Sequence, residues 1–324
     1  MKHPVILGDI GGTNTRLAVF ANGHFLFEAT YPSQTYNSFN EILREFLQQA
    51  GPIAHRSISL AVAGVIKNNK ADSVNIPWQL DLDAINEEFK LEKTTMLNDF
   101  EAVAHGIELL NKNDLVQLGG KVAQLHGNKA VLGAGTGLGE AFMIWEPKEE
   151  KYIIVPTEGG HKDFAPADPL QIELLAFLMQ KYGRVSVERI LSGHGIEDIH
   201  AFLLSKTAKL HSETIAANLI TERAMKYADP AALDTLRLFC KILGAESGNL
   251  ALQILATGGV YVAGGIAPRL LNILANSEFR GCFEAKGRFR DMLQAIPVYI
   301  ITNPRIGLIG AYSHWNKLNH APDL

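Results

Sequence analysis

Cysteine is scarce: the 324 residues include only Cys240 and Cys282, with no CxxC pair. A disulfide-stapled secreted scaffold is thereby excluded, and a reducing compartment is expected. Basic charge is also thin. A formal net charge of -4 and a pI ≈ 6.3 give no field to hold a nucleic acid, and none is expected as a partner. The densest basic cluster, Lys286, Arg288 and Arg290, is interleaved with Phe283, Phe289, Met292 and Leu293 and reads as a solvated face. Long apolar runs are missing too. The longest uncharged stretch, Ser247 to Pro268, is interrupted by Gln253, Gly258, Gly259, Gly264 and Gly265, so it reads as helix end, turn and buried strand, and no membrane span is expected. No apolar leader with a small-residue cleavage site is visible at the start, which makes a cytoplasmic location the expectation. No HExxH or other histidine ligand spacing occurs, and structural zinc is not expected.

What is present suits a soluble globular protein of about two domains, because 47% hydrophobic residues against 20% charged can fill large cores. Ser38 with Glu41 forms a capping box, and Phe39, Ile42, Leu43, Phe46 and Leu47 share one helical face up to Gly51-Pro52. Ser57 to Gly64 and Thr94 to Leu97 read as buried strands, and Phe100, Val103, Ala104 and Ile107 as a helix. Strands alternate with helices, so the sheet is mixed or parallel. Leu115 to Gly127 is a loosely patterned bridge. Beyond it, Gln171 to Tyr182, Ser186 to Leu191 and Thr214 to Leu255 read as helical, followed by strands at Val260 to Ala263 and Ile296 to Ile301 and a last helix near Gly307 to Trp315.

One pattern occurs twice. Val5 to Phe20 runs apolar strand, turn Gly11-Gly12-Thr13, second apolar strand; Ala130 to Trp145 repeats the plan around Gly135-Thr136-Gly137. Two domains built alike are the natural inference. Glycines admit positive φ and let a ligand approach backbone N–H groups, which makes an anion-binding nest, and two such turns facing each other would grip a polyphosphate. Neither turn is a Walker A loop, for no GxxxxGKS or GxxxxGKT occurs, and neither matches GxGxxG. Asp9 distinguishes the first turn, since Ala134 stands in its place in the second, so Asp9 is the candidate carboxylate for a hydrated Mg²⁺.

Gly8-Asp9-Ile10-Gly11-Gly12-Thr13-Asn14 and Gly133-Ala134-Gly135-Thr136-Gly137-Leu138-Gly139 resemble the two phosphate loops of the actin-like ATPase and sugar kinase superfamily. Leu97-Asn98-Asp99-Phe100, Glu158-Gly159-Gly160-His161, Ser186 to Gly193 and Val262-Ala263-Gly264-Gly265-Ile266 extend that resemblance to the bacterial glucokinase family over nearly the whole chain. The cysteine-rich zinc motif of the related repressor and kinase family is absent. The resemblance implies a two-domain α/β fold of the actin-like ATPase (ribonuclease H-like) type with a ligand cleft between the domains. It implies a small domain of residues 1–110 plus 300–324, a large one of residues 111–299, and a homodimer.

The resemblance further implies transfer of a phosphoryl group from ATP, with Mg²⁺, to the 6-hydroxyl of glucose. Asp99, after a buried strand and at a helix start where the dipole favours its ionised form, is the expected general base, and Asn98 is expected to hold neighbouring hydroxyls. Glu158, His161 and Glu188 are expected at the sugar. Gly8, Asp9, Ile10, Gly11, Gly12, Thr13, Thr136 and Gly137 are expected at the phosphates, with Asp9 on the metal. Gly264 and Gly265 are assigned to adenosine, although a compact strand-to-helix turn also explains them. Asn75-Ile76-Pro77-Trp78 fits either a sugar-side wall or a turn packed on the core. Two other readings remain: a kinase for mannose, fructose or an amino sugar, and a non-catalytic sugar sensor. The sensor would be expected to lose Asp9 or Asp99 or to gain a DNA-binding extension, and this chain does neither.

Overall fold

In a computed structural model, residues 4–52, 56–72, 76–206 and 215–320 are described. They divide into two units, Met1–Asn111 with Asn303–Leu324, and Lys112–Thr302.

The first unit starts with the hairpin of β1 (Val5–Ile10) and β2 (Asn14–Ala21), extended by β3 (His24–Pro32). α1 (Phe39–Ala50) leads to β4 (Ser57–Val62), and the short strands β5 (Val65–Lys67), β6 (Lys70–Asp72) and β7 (Leu80–Asp81) form a small separate sheet. α2 (Leu82–Phe89), β8 (Lys93–Asn98) and α3 (Asp99–Ile107) complete the N-terminal part. The main sheet has the order β3-β2-β1-β4-β8; β1 to β3 are antiparallel, and β1, β4 and β8 run parallel.

β1 reads as continuously apolar because both its faces are buried. Ile6 and Ile10 pack with Phe39, Ile42, Leu43 and Phe46 of α1, while Val5 and Leu7 point to the opposite face, where Ala102 of α3 and Leu308, Ala311 and Trp315 from the chain's end close over them. Each fully buried Ile or Leu contributes about 1.5–3 kcal/mol. α1 begins as its sequence implies, with Ser38 Oγ accepting from Glu41 N. The reciprocal bond falls one residue early, from Asn37 N to the Glu41 carboxylate.

The second unit repeats the plan. It contains β9 (Leu115–Gln117), β10 (Lys129–Ala134), β11 (Leu138–Glu146), β12 (Lys151–Thr157), α4 (Pro169–Tyr182), α5 (Gly193–Ser205), α6 (Ala217–Tyr227) and the long α7 (Pro230–Ile254). It continues with β13 (Val260–Ala263), α8 (Leu271–Ala275), α9 (Phe279–Glu284), α10 (Arg290–Ala295) and β14 (Val298–Ile301). The sheet order β12-β11-β10-β13-β14-β9 reproduces that of the first unit, with β9 added antiparallel at the edge. α11 (Ile306–His320) then belongs to the first unit.

Three expectations change, and one open alternative closes. Ser186 to Leu191 is not a helix but a turn: Val187, Ile190 and Leu191 are buried, and Ser192 caps α5 immediately afterwards. The bridge from Leu115 holds the edge strand β9, too short to show a pattern. Lys286 is not part of a solvated face, for its Nζ donates to the Ala245 carbonyl (2.9 Å) and Asn249 Oδ1 (2.6 Å), and burial lowers its pKa; Arg288 and Arg290 are exposed. Ile76 and Trp78 are buried in the core beside Phe39, with Trp78 Nε1 donating to the Ser33 carbonyl, while Asn75 and Thr214 lie outside the described residues.

Candidate active site

In the first unit the motif residues gather at the carboxyl ends of adjacent parallel strands, the edge where open α/β sheets bind ligands. Ile10 pairs with Val62, and Val62 with Asn98, which aligns the ends of β1, β4 and β8. The turn after β1 is closed by Gly11 N donating to the Asn14 carbonyl at 2.9 Å. Its carbonyls are occupied from one side: Ser33 Oγ donates to Gly11, Gln34 Nε2 to Gly12 and Ser33 N to Thr13. Such bracing fixes the peptide planes and suits a turn whose N–H groups meet an anion. Gly8 and Ile10, expected among the ATP-contacting residues, lie inside the sheet instead. A Cβ on Gly8 would meet Leu60 at 2.6 Å, and Ile10 is fully buried in the core, so both are scaffold.

Asp9 lies across the hairpin from Arg16 and faces the first turn of α11. A Cβ on Gly307 would stand 2.8 Å from the Asp9 carboxyl carbon, so glycine is what lets the helix begin there. Burial pushes the Asp9 carboxyl above its ordinary range, and the Arg16 guanidinium acts in the opposite direction. Arg16 in turn donates to the Pro304 carbonyl. A nearby cation would favour the ionised form, and this carboxylate then fits a hard cation that takes oxygen ligands, with phosphates supplying the others.

Asn98 is the N-cap of α3: its Oδ1 accepts from Phe100 N (2.9 Å) and Glu101 N (3.2 Å), and its Nδ2 donates to the Gly64 carbonyl (3.3 Å). Three of the four hydrogen bonds that the amide can make are thus internal, which narrows its expected role toward a sugar to one N–H donor. Asp99 follows as the first residue of α3, with Oδ1 accepting from Phe100 N at 3.0 Å.

The second unit gathers its motif residues around the end of β10. Gly135 N donates to the Gly137 carbonyl (2.8 Å), and the Gly135 carbonyl accepts from Gly193 N (2.9 Å). Glu188 Oε2 accepts from Leu138 N at 3.0 Å, and a Cβ on Gly137 would approach that same oxygen to 2.5 Å. Positive φ, the expected reason for these glycines, does not apply: Gly11, Gly135 and Gly137 all lack it, and at Gly137 the reason is space. Gly264 does have φ +82, and a Cβ there would overlap the Ala134 carbonyl, which places the Gly264-Gly265 turn against the second glycine turn. A side chain on Gly265 would point into open space.

Glu158, His161 and Glu188 come together as expected. His161 lies 3.8 Å from Glu158 and 3.7 Å from Glu188, and the side chains of Glu158 (61%) and His161 (58%) are solvent-exposed, open to a ligand. Beneath them is an ion triad that the motifs do not reveal. Lys162, next to His161, pairs with Glu140 of β11 (2.7 Å) and with Glu246 of α7, and both carboxylates are buried. Burial raises the Glu140 pKa, and Glu246 adds to this while Lys162 opposes it. Gly307 and Lys162 gave no local signal, because each acts on a partner far away in sequence, as Arg16 does on Pro304.

A family model described as glucokinase matches residues 6–318. A glucokinase of Trichormus variabilis is 40% identical, over 95% of this chain and 97% of its own. A glucokinase from an Antarctic psychrotroph has a solved structure that superposes with a TM-score of 0.83 at 30% identity, covering 98% of this chain and 100% of that one. A Streptomyces griseus glucokinase of the ROK family, solved with glucose and AMPPNP, superposes with a TM-score of 0.67 at 21% identity, covering 95% and 97%.

Proposed function

The chain belongs to the glucokinase family, and on that premise we propose how its residues divide the transfer of a phosphoryl group from ATP to the 6-hydroxyl of glucose. It is an enzyme, a glucokinase, with the α/β fold of the actin-like ATPases. Asp99 takes the proton from the 6-hydroxyl as the phosphoryl group arrives. The observation that carries this assignment is that Asn98 is the N-cap of α3 and takes both Phe100 N and Glu101 N, while Asp99, one position on, adds a second acceptor for Phe100 N that the cap does not require.

Glu158, His161 and Glu188 position the sugar. Hydroxyls both donate and accept, and two carboxylates flanking an imidazole can read both functions. The N–H groups of Gly11 and Gly135 close their own turns, so those of Gly12, Thr13, Thr136 and Gly137 meet the phosphate oxygens, and the Gly264-Gly265 turn takes the adenosine. AMPPNP in the Streptomyces relative supports ATP as donor, and glucose there supports the sugar. Mg²⁺ carried with ATP would be held by Asp9 and would screen the charge on the phosphates. A homodimer in the cytoplasm completes the reading, on the family resemblance.

A panel of glucose, mannose, fructose and an amino sugar, assayed with ATP and Mg²⁺ by coupled detection of ADP, tests it. The expected outcome is a clear preference for glucose; preference for another hexose, or no turnover with any, would reject the assignment.

A further inference from the structure

Among the described residues, one cluster of metal-ligating side chains stands outside the phosphoryl-transfer machinery. Glu101 and His105 lie four residues apart on one face of α3, and His314 comes from α11, so sequence spacing does not reveal the set. Two glycines bring the helices close: a Cβ on Gly106 would meet Ile306 at 2.6 Å, and one on Gly310 would overlap the Ala102 backbone. The result is one ligand atom from each of the three residues, all within 4.8 Å of one another.

We propose that Glu101, His105 and His314 bind one divalent transition-metal ion of the zinc class, which fastens α11 to α3. His105 Nε2 and His314 Nδ1 lie 3.2 Å apart. Two nitrogens on one tetrahedral ion, at Zn–N distances of about 2.0–2.1 Å, lie ~3.3 Å apart, so little rearrangement is needed. The donor set of two imidazoles and a carboxylate suits Zn²⁺ or Co²⁺ and is poor for Mg²⁺. Burial lowers the pKa of His105 to about 3 and lowers that of His314, so their lone pairs are not lost to protons; it raises that of Glu101, whose anion a cation would favour. The nearby ammonium of Lys317 faces Glu108 at 3.7 Å. The clamp would hold together the helix that starts at Asp99 and the helix whose first turn abuts Asp9.

Purified full-length protein stripped by a chelator, then titrated with Co²⁺ and followed by visible absorption and thermal melting, tests the proposal. The expected result is a tetrahedral-type Co²⁺ spectrum displaced by Zn²⁺, and a rise in Tm. Both should be lost in His314→Gln and His105→Gln, weakened at least tenfold in Glu101→Gln, and kept in His24→Gln, which changes an exposed histidine of β3. If His105→Gln does not fold, His314→Gln and Glu101→Gln decide. Absence of the spectrum from the wild-type protein, or its persistence in the folded histidine variants, overturns the site and leaves a hydrogen-bonded histidine pair. Loss in His161→Gln instead would locate the ion beside Glu158 and overturn it equally.

Discussion

Glu188 accepts a hydrogen bond from the backbone N–H of Leu138 at 3.0 Å, which ties the carboxylate beside His161 to the glycine turn that closes β10. The same oxygen occupies the space that a side chain on Gly137 would need. On the proposed assignments, the phosphate turn and the sugar-side cluster are therefore mechanically joined within the second unit.

Gly137→Ala tests that joint. Its Cβ must displace Glu188, and a misplacement on this scale lowers kcat/KM by about 10²-fold. Steady-state kinetics should show KM rising for both glucose and ATP; a change confined to ATP would separate the two sites.

Glu158→Gln should behave differently, because Glu158 lies beside His161 in the cluster proposed for the sugar. Losing a charged acceptor removes about 1.5–3 kcal/mol of sugar binding, roughly ten- to hundredfold in glucose KM, with ATP KM nearly constant. Equal effects on both substrates would count against a sugar role.

Lys162→Met leaves Glu140 and Glu246 facing each other in the interior without their cation. The expected loss is about 3–5 kcal/mol near neutral pH. The sign with pH follows from Glu140, whose folded pKa is already raised. A carboxyl of that kind contributes stability when protonated and loses it as pH rises through its folded value, so the deficit should shrink on acidification. Urea denaturation across mildly acid to neutral pH measures this; a deficit independent of pH would dismiss the triad as its cause.

Gly310→Ala would drive a methyl group into the Ala102 backbone and push α11 off α3, destabilising the protein by about 1–3 kcal/mol. Chemical denaturation should show a lowered midpoint, whereas an unchanged midpoint would mean that the helices are not in tight contact.

The doubled strand–turn–strand plan was legible because apolar runs around glycine turns are local, and the repeated sheet order reflects the same repeat. The meeting of Glu158, His161 and Glu188 was legible only through the family resemblance. Partners distant along the chain were not legible: nothing near Asp9 announces Gly307, and nothing near His105 announces His314. The reason for a glycine also escaped sequence reading, since positive φ and lack of space produce the same letter; Gly264 has both, Gly137 only the second. Lys286 looked solvated because Ala245 and Asn249, which its ammonium meets, belong to a helix that ends well before it in sequence.

Asp99→Asn is the most direct measurement. The variant keeps the shape of the side chain, and Asn98 continues to cap α3, so the fold should persist. With Asp99 as general base, kcat falls by about 10²–10⁴-fold while glucose affinity, read by calorimetry, stays within a few-fold of the wild type. Undiminished turnover, or a loss of glucose binding as large as the loss of kcat, would contradict the account.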